Sequence, residues 1–168
     1  MFANDYFALF GLPVQFALDL NALRDKYRAL QVEVHPDKFA NATAQEKRLS
    51  VQYASYVNQA FQTLRDPMER GRYLLELKGV AWGDESATIK DPSFLMEQME
   101  LRETLAEMPA AQLPDFLDSI AARMSEIERK LGSLLDDQSS TDLAAARVLV
   151  QKLQFLKRLQ HEADEKLE

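Results

Sequence analysis

Apolar residues recur at helical spacing along most of the chain, and the interruptions fall at Gly, Pro or Asp-Pro. Tyr6, Phe7, Leu9 and Phe10 stand between a capping Asn4 or Asp5 and Gly11, with Pro13 two residues later, which predicts one brief helix. Asp19 caps a longer helix in which Leu20, Leu23, Tyr27, Leu30 and Val34 share a single buried face. Pro36 removes a backbone donor and pushes His35 out of the α region, so that helix ends at about Val34 and a loop over 35–42 follows. Thr43 with Glu46 is a capping-box pair opening a third helix, whose stripe is Leu49, Tyr53, Val57, Ala60 and Leu64, with Tyr56 and Phe61 on its flank. Asp66-Pro67 stops or redirects it, and residues 68–75 resume as helix.

The pattern lapses between 78 and 92, where Gly79, Gly83, Asp84, Ser86, Thr88 and Pro92 collect, while Trp82 and Ile89 offer anchors that stiffen the joint. This divides the chain into a first domain over 1–75, a linker over 76–92 and a second domain over 93–168. Asp91 caps and Pro92 opens a helix running to about Met108. After a break over 109–114, a second helix carries Leu117, Ile120, Met124, Ile127, Leu131 and Leu134, which Gly132 weakens without ending. Ser140 or Thr141 caps a last helix with Leu143, Leu149, Leu153, Leu156, Ala163 and Leu167. The expectation is an all-α protein, with an antiparallel helical hairpin braced by a short helix joined to a three-helix bundle.

Composition narrows the function classes. Five Gly and six Pro in 168 residues disfavour a turn-rich β fold, and the lack of cysteine removes disulfides, thiol catalysis and thiolate metal sites. No apolar run approaches the ~20 residues that cross a bilayer, and the N-terminal segment lacks the marks of an export or organelle signal. A soluble, cytoplasmic protein is expected. Residues 1–75 hold nine Lys/Arg and eight Asp/Glu, a balance of +1; residues 76–168 hold eleven and nineteen, a balance of -8. No basic stripe is available to neutralise phosphates, so nucleic acid is disfavoured as a ligand.

The helix over 92–108 has more apolar residues than one buried stripe needs. Phe94, Leu101, Leu105 and Met108 form that stripe; Leu95, Met96 and Met99 fall on another side, together with Glu100, Glu103 and Glu107. The second set either widens the core, Met filling gaps, or is exposed. Phe155 lies roughly 200° around its helix from Leu153 and is expected to point away from the core. With Leu95, Met96 and Met99 it suggests an apolar patch edged by carboxylates, the anatomy of a protein-binding site.

His35-Pro36-Asp37-Lys38, at the tip of the hairpin, invites a catalytic reading. Yet the chain has no glycine-rich phosphate loop, no GxSxG and no HExxH, and His161 on a charged helix is the only other histidine. Two histidines and scattered carboxylates make no metal set, and no cofactor is expected. From the residues alone, His35 and Asp37 either carry chemistry or close the hairpin by hydrogen bonds.

The order and spacing of Asp5-Tyr6-Phe7, Leu9-Phe10-Gly11-Leu12, His35-Pro36-Asp37-Lys38, Val57-Asn58-Gln59-Ala60-Phe61 and Leu64-Arg65-Asp66-Pro67 resemble a J domain. Tyr73-Leu74-Leu75, Phe94-Leu95-Met96-Glu97-Gln98 through Leu101-Arg102-Glu103, and Lys152-Leu153 with Phe155-Leu156 extend the resemblance over essentially the whole chain, to the HscB-type co-chaperones of iron–sulfur cluster assembly. The resemblance implies an adaptor that is not itself an enzyme. His35, Pro36, Asp37 and Lys38, with Arg24, Lys26 and Arg28, engage a DnaK-class ATPase of the HscA type. Leu95, Met96, Met99, Glu100, Glu103, Glu107 and Phe155 bind a cluster scaffold protein of the IscU type. Ala29 and Glu33 depart from the J-domain pattern, which implies docking tuned to a specialised chaperone. Lack of a cysteine-rich zinc extension and of a transit peptide fits a bacterial cytosolic form. The alternatives are a general J protein that binds unfolded clients and a small helical enzyme using His35 and Asp37.

Overall fold

The structure is a computed structural model that describes residues 3–81, 91–137 and 142–168. Among these residues it is all-α: α1 (Tyr6–Leu9), α2 (Leu20–Glu33), α3 (Ala44–Arg65), α4 (Pro67–Leu77), α5 (Pro92–Glu107), α6 (Leu113–Asp136) and α7 (Leu143–Leu167), with 3-10 turns at Pro36–Phe39 and Ala110–Gln112. It divides into two compact units, Met1–Leu74 and Leu75–Glu168. Trp82 and Ile89 lie outside the described residues.

In the first unit, short polar side chains start the helices by satisfying amide donors that have no intrahelical partner. Asp5 accepts from the Ala8 N–H, Asp19 from those of Asn21 and Ala22, and Thr43 from that of Glu46. α1 ends at Leu9 with Phe10 as its C-cap, and Gly11 follows with a left-handed φ of 62° that favours glycine. α2 and α3 pack along Leu23, Val57, Ala60 and Leu64, all fully buried; each large apolar side chain so buried contributes about 1.5–3 kcal/mol. Tyr27 stacks on Phe61 with ring centroids 3.9 Å apart, and its hydroxyl donates to Asn58 Oδ1 at 2.7 Å. Leu20, expected in the core, is 40% exposed at the first position of α2.

Asp66 redirects the chain and also starts α4, its carboxylate accepting from the Met68 N–H at 2.9 Å. Arg70 is buried yet compensated: Nη1 donates to the Leu64 carbonyl at 2.6 Å, and the guanidinium lies 4.6 Å from the Phe16 ring centroid. It thus closes the C-terminus of α3.

In the second unit Asp91 caps α5 through the Ser93 N–H, with Pro92 in the first turn as expected. α6 begins at Leu113, so Pro114 belongs to its first turn rather than to a break over 109–114. A proline there forfeits only an amide that is unpaired anyway. Gly132 lies inside α6 without ending it. The cap of α7 is Asp142, which accepts from the Ala145 N–H; Ser140 and Thr141 lie outside the described residues. α6 packs along α7, and α5 lies on α7 as well. The buried residues are Leu113, Phe116, Ile120, Ile127, Leu131 and Leu135 on α6 and Ala146, Val150, Leu153, Phe155, Leu156, Leu159 and Ala163 on α7. Leu134 and Leu149, expected in the stripes, line a shallow hollow between the two helices.

Candidate interaction sites

The first candidate site is the turn between α2 and α3. α2 ends where Pro36 requires, with Val34 as its C-cap, its N–H donating to the Leu30 carbonyl at 3.0 Å. Residues 36–39 are not an open loop, because Pro36 occupies the first position of a 3-10 turn whose N-cap is His35. The imidazole Nδ1 accepts from the Asp37 N–H at 3.2 Å and stands 3.5 Å from Asp37 Oδ2. One nitrogen cannot serve both contacts. As an acceptor it fixes the neutral ring with its proton on Nε2; a protonated ring offers Nδ1–H to the carboxylate instead. The side chains of His35 and Asp37 are 58% and 92% exposed, and Pro36 and Lys38 are exposed too. The turn packs against α3, which fixes its place at the end of the hairpin.

Arg24 and Arg28, one helical turn apart, are exposed on α2. Lys26 does something different. Its ammonium donates to the Gly11 carbonyl at 3.2 Å, tying the end of α1 to α2, while the side chain stays exposed and keeps its charge.

The second candidate site is the outer face of α5. Phe94 and Leu105 are buried, whereas Leu95 is 39%, Met96 62% and Met99 63% exposed. Glu100, Glu103 and Glu107 are exposed on the same helix. Of the two readings open from the sequence, the surface one holds for these three apolar residues. α5 is held from its other side: Glu97 pairs with Arg123 of α6, Arg102 lies 3.5 Å from Glu162 of α7, and Lys166 donates to the carbonyls of Leu105 and Ala106.

Phe155 requires a correction. Expected on the exposed patch, it is 2% exposed and among the most deeply buried side chains. It meets Phe94 edge to face, and the Arg102 guanidinium lies 5.5 Å from its ring centroid. The reason is that α7 has two neighbours in the bundle, α6 and α5, so its buried surface is wider than one stripe. The sequence reading also missed the capping role of Lys166 and the Arg123–Glu97 pair. Helical spacing alone does not single out these two basic side chains from the others on α6 and α7.

No group of three or more His, Asp or Glu among the described residues is arranged to hold a metal ion. No helix among the described residues is long and apolar enough to cross a membrane.

Comparison with known proteins agrees with this arrangement. Residues 90–164 match the family described as the HSCB C-terminal oligomerisation domain. Over 98% of the chain and 95% of the relative, the sequence is 45% identical to a protein named co-chaperone protein HscB homolog from Burkholderia vietnamiensis. A protein of the same name from an Azoarcus species is 45% identical over 98% of this chain and 94% of its own. Among solved structures, chaperone HscB from Vibrio cholerae superposes with a TM-score of 0.83 at 38% identity, covering 96% of both chains. Human co-chaperone protein HscB gives a TM-score of 0.90 at 30% identity, over 98% of this chain and 82% of that one. With a His-Pro-Asp turn on a helical hairpin, a three-helix bundle and relatives matched almost end to end, the chain belongs to the HscB family of J-domain co-chaperones.

Proposed function

We propose that this chain is an adaptor in iron–sulfur cluster assembly. The outer face of α5 holds an IscU-type scaffold protein, and the His35-Pro36-Asp37 turn stimulates hydrolysis by a DnaK-class, HscA-type ATPase. Leu95, Met96 and Met99 are the apolar anchors, and Glu100, Glu103 and Glu107 form a rim that selects a basic counterpart. Phe155 acts from beneath, through Phe94. Arg24 and Arg28 steer the ATPase, and His35, Pro36, Asp37 and Lys38 meet it.

The observation that carries the reading is the exposure of Met96 and Met99 on a helix whose opposite side is buried. Two Met side chains left in water on an anchored helix represent apolar surface kept for a partner. The chain performs no bond chemistry of its own in this scheme. It acts by differential affinity: a ligand moves a conformational equilibrium only when it prefers one state, so the turn binds best to the hydrolysis-competent ATPase.

The test is the ATPase rate of an HscA-type chaperone with the chain, with His35→Gln, and with and without scaffold. His35→Gln abolishes stimulation while helicity and scaffold binding persist. Equal stimulation by the variant overturns the role of the turn.

A further inference from the structure

We propose that Met96 and Met99 form a reversible oxidation site through which peroxide-class oxidants weaken the hold on the scaffold; this deepens the proposed function and rests on it. The described methionines divide by environment. Met68 is buried, Met108 and Met124 are half-buried, and Met96 and Met99 stand 62% and 63% exposed. A thioether reacts in proportion to its access to oxidant, so the reactive pair is also the pair at the centre of the apolar patch. Three residues apart on α5, they lie on neighbouring positions of one face.

The chemistry balances without any other group of the protein. A sulfur lone pair attacks one oxygen of hydrogen peroxide, the O–O bond breaks, the proton on the transferred oxygen passes to the departing hydroxide, and the sulfoxide and one molecule of water are formed. Sulfur loses two electrons and peroxide gains them. The product carries a strongly polar S–O bond where the patch needs an apolar surface. Its oxygen accepts hydrogen bonds but donates none. On this helix its neighbours one turn on include Glu100, beyond Met96, and Glu103, beyond Met99, which supply no donor when ionised; Arg102, also beyond Met99, is engaged by Glu162 and lies against the Phe155 ring. The sulfoxide is therefore best solvated by water, and seating a scaffold over it strips that water away. Methionine sulfoxide reductases reverse the change at the expense of a thiol reductant.

The experiment treats the full chain with graded hydrogen peroxide. Peptide mass spectrometry reads added oxygen at Met68, Met96, Met99, Met108 and Met124, and calorimetry reads affinity for a purified IscU-type scaffold. Met96 and Met99 gain oxygen first, affinity falls by about tenfold or more, and methionine sulfoxide reductases restore it. The double variant Met96→Leu with Met99→Leu has no thioether on the patch, and its affinity, compared before and after peroxide in the same protein, shows no loss. Circular dichroism stays unchanged throughout. Oxidation of Met108 or Met124 ahead of the pair, unaltered affinity with both sulfoxides formed, or an equal loss in the Leu variant overturns the inference. An untreated chain that fails to bind scaffold overturns the proposed function, and this inference with it.

Discussion

Phe155 of α7 meets Phe94 of α5 edge to face, with ring centroids 5.8 Å apart and planes at 86°. Aromatic pairs favour this arrangement because the positive ring edge meets the negative face. The contact separates two roles that look alike in sequence. Phe155→Ala opens a cavity under α5 and costs about 3–5 kcal/mol of bundle stability. Leu95→Ala or Met96→Ala, on the exposed side, changes stability by about 0.5 kcal/mol or less while weakening scaffold binding. Thermal and urea unfolding beside calorimetric titration separates the two. A stable Phe155→Ala protein that only loses binding returns Phe155 to the surface.

The proposed docking face predicts different parts for Arg24 and Arg28, whose side chains are exposed on α2, and for Lys26, which also braces α1. Reversing both arginines to Glu raises the concentration for half-maximal ATPase stimulation by about tenfold at low salt, and the gap narrows as salt screens the surface charges. Maximal stimulation is retained, since the turn is intact. Lys26→Met breaks the bond to the Gly11 carbonyl, lowers stability by about 1 kcal/mol or less, and leaves the half-maximal concentration in place. ATPase titrations at two salt concentrations decide the matter.

Tyr73 and Tyr56 hold their protons more tightly in the folded chain than a free tyrosine does. Burial is the largest cause for both. For Tyr73 the Tyr6 N–H, donating to its oxygen at 2.9 Å, pulls the other way, and the Asp5 carboxylate adds to the rise. Because the folded value lies above the ordinary 10.0, neutral phenols support the fold fully below that pH. The support is lost as pH climbs through the folded values. Urea midpoints measured from about pH 9 upward fall, and fall less steeply for Tyr73→Phe. An identical alkaline slope in the variant removes Tyr73 as the cause.

Helix starts are readable from the sequence because they depend on one side chain and two or three nearby amides. Asp5, Asp19, Thr43 and Asp91 all cap where local pattern places them. The surplus on α5 is readable too, since 3.6 residues per turn assigns Met96 and Phe94 to opposite sides. Phe155 escapes this logic: whether its side of α7 meets water or another helix depends on how many neighbours α7 has, and no local window contains that number. Lys26 escapes for a related reason. A long flexible side chain reaches a carbonyl fifteen positions away in sequence; spacing sets Lys26 on a different side of α2 from Arg24 and Arg28 but cannot name the carbonyl it meets. The His35 ring cap is a form of the hydrogen-bonded closure that the residues leave open; what Pro36 conceals is the 3-10 turn, since a proline reads as a break although it also starts one.

That ring cap bears on speed. A tetrapeptide already folded by its own histidine gives up little backbone freedom when it meets a partner, so less of the encounter energy goes into ordering it. Association can then proceed near the rate at which correctly oriented surfaces collide. For the proposed adaptor, fast and inexpensive encounters with the ATPase count for more than a long-lived grip.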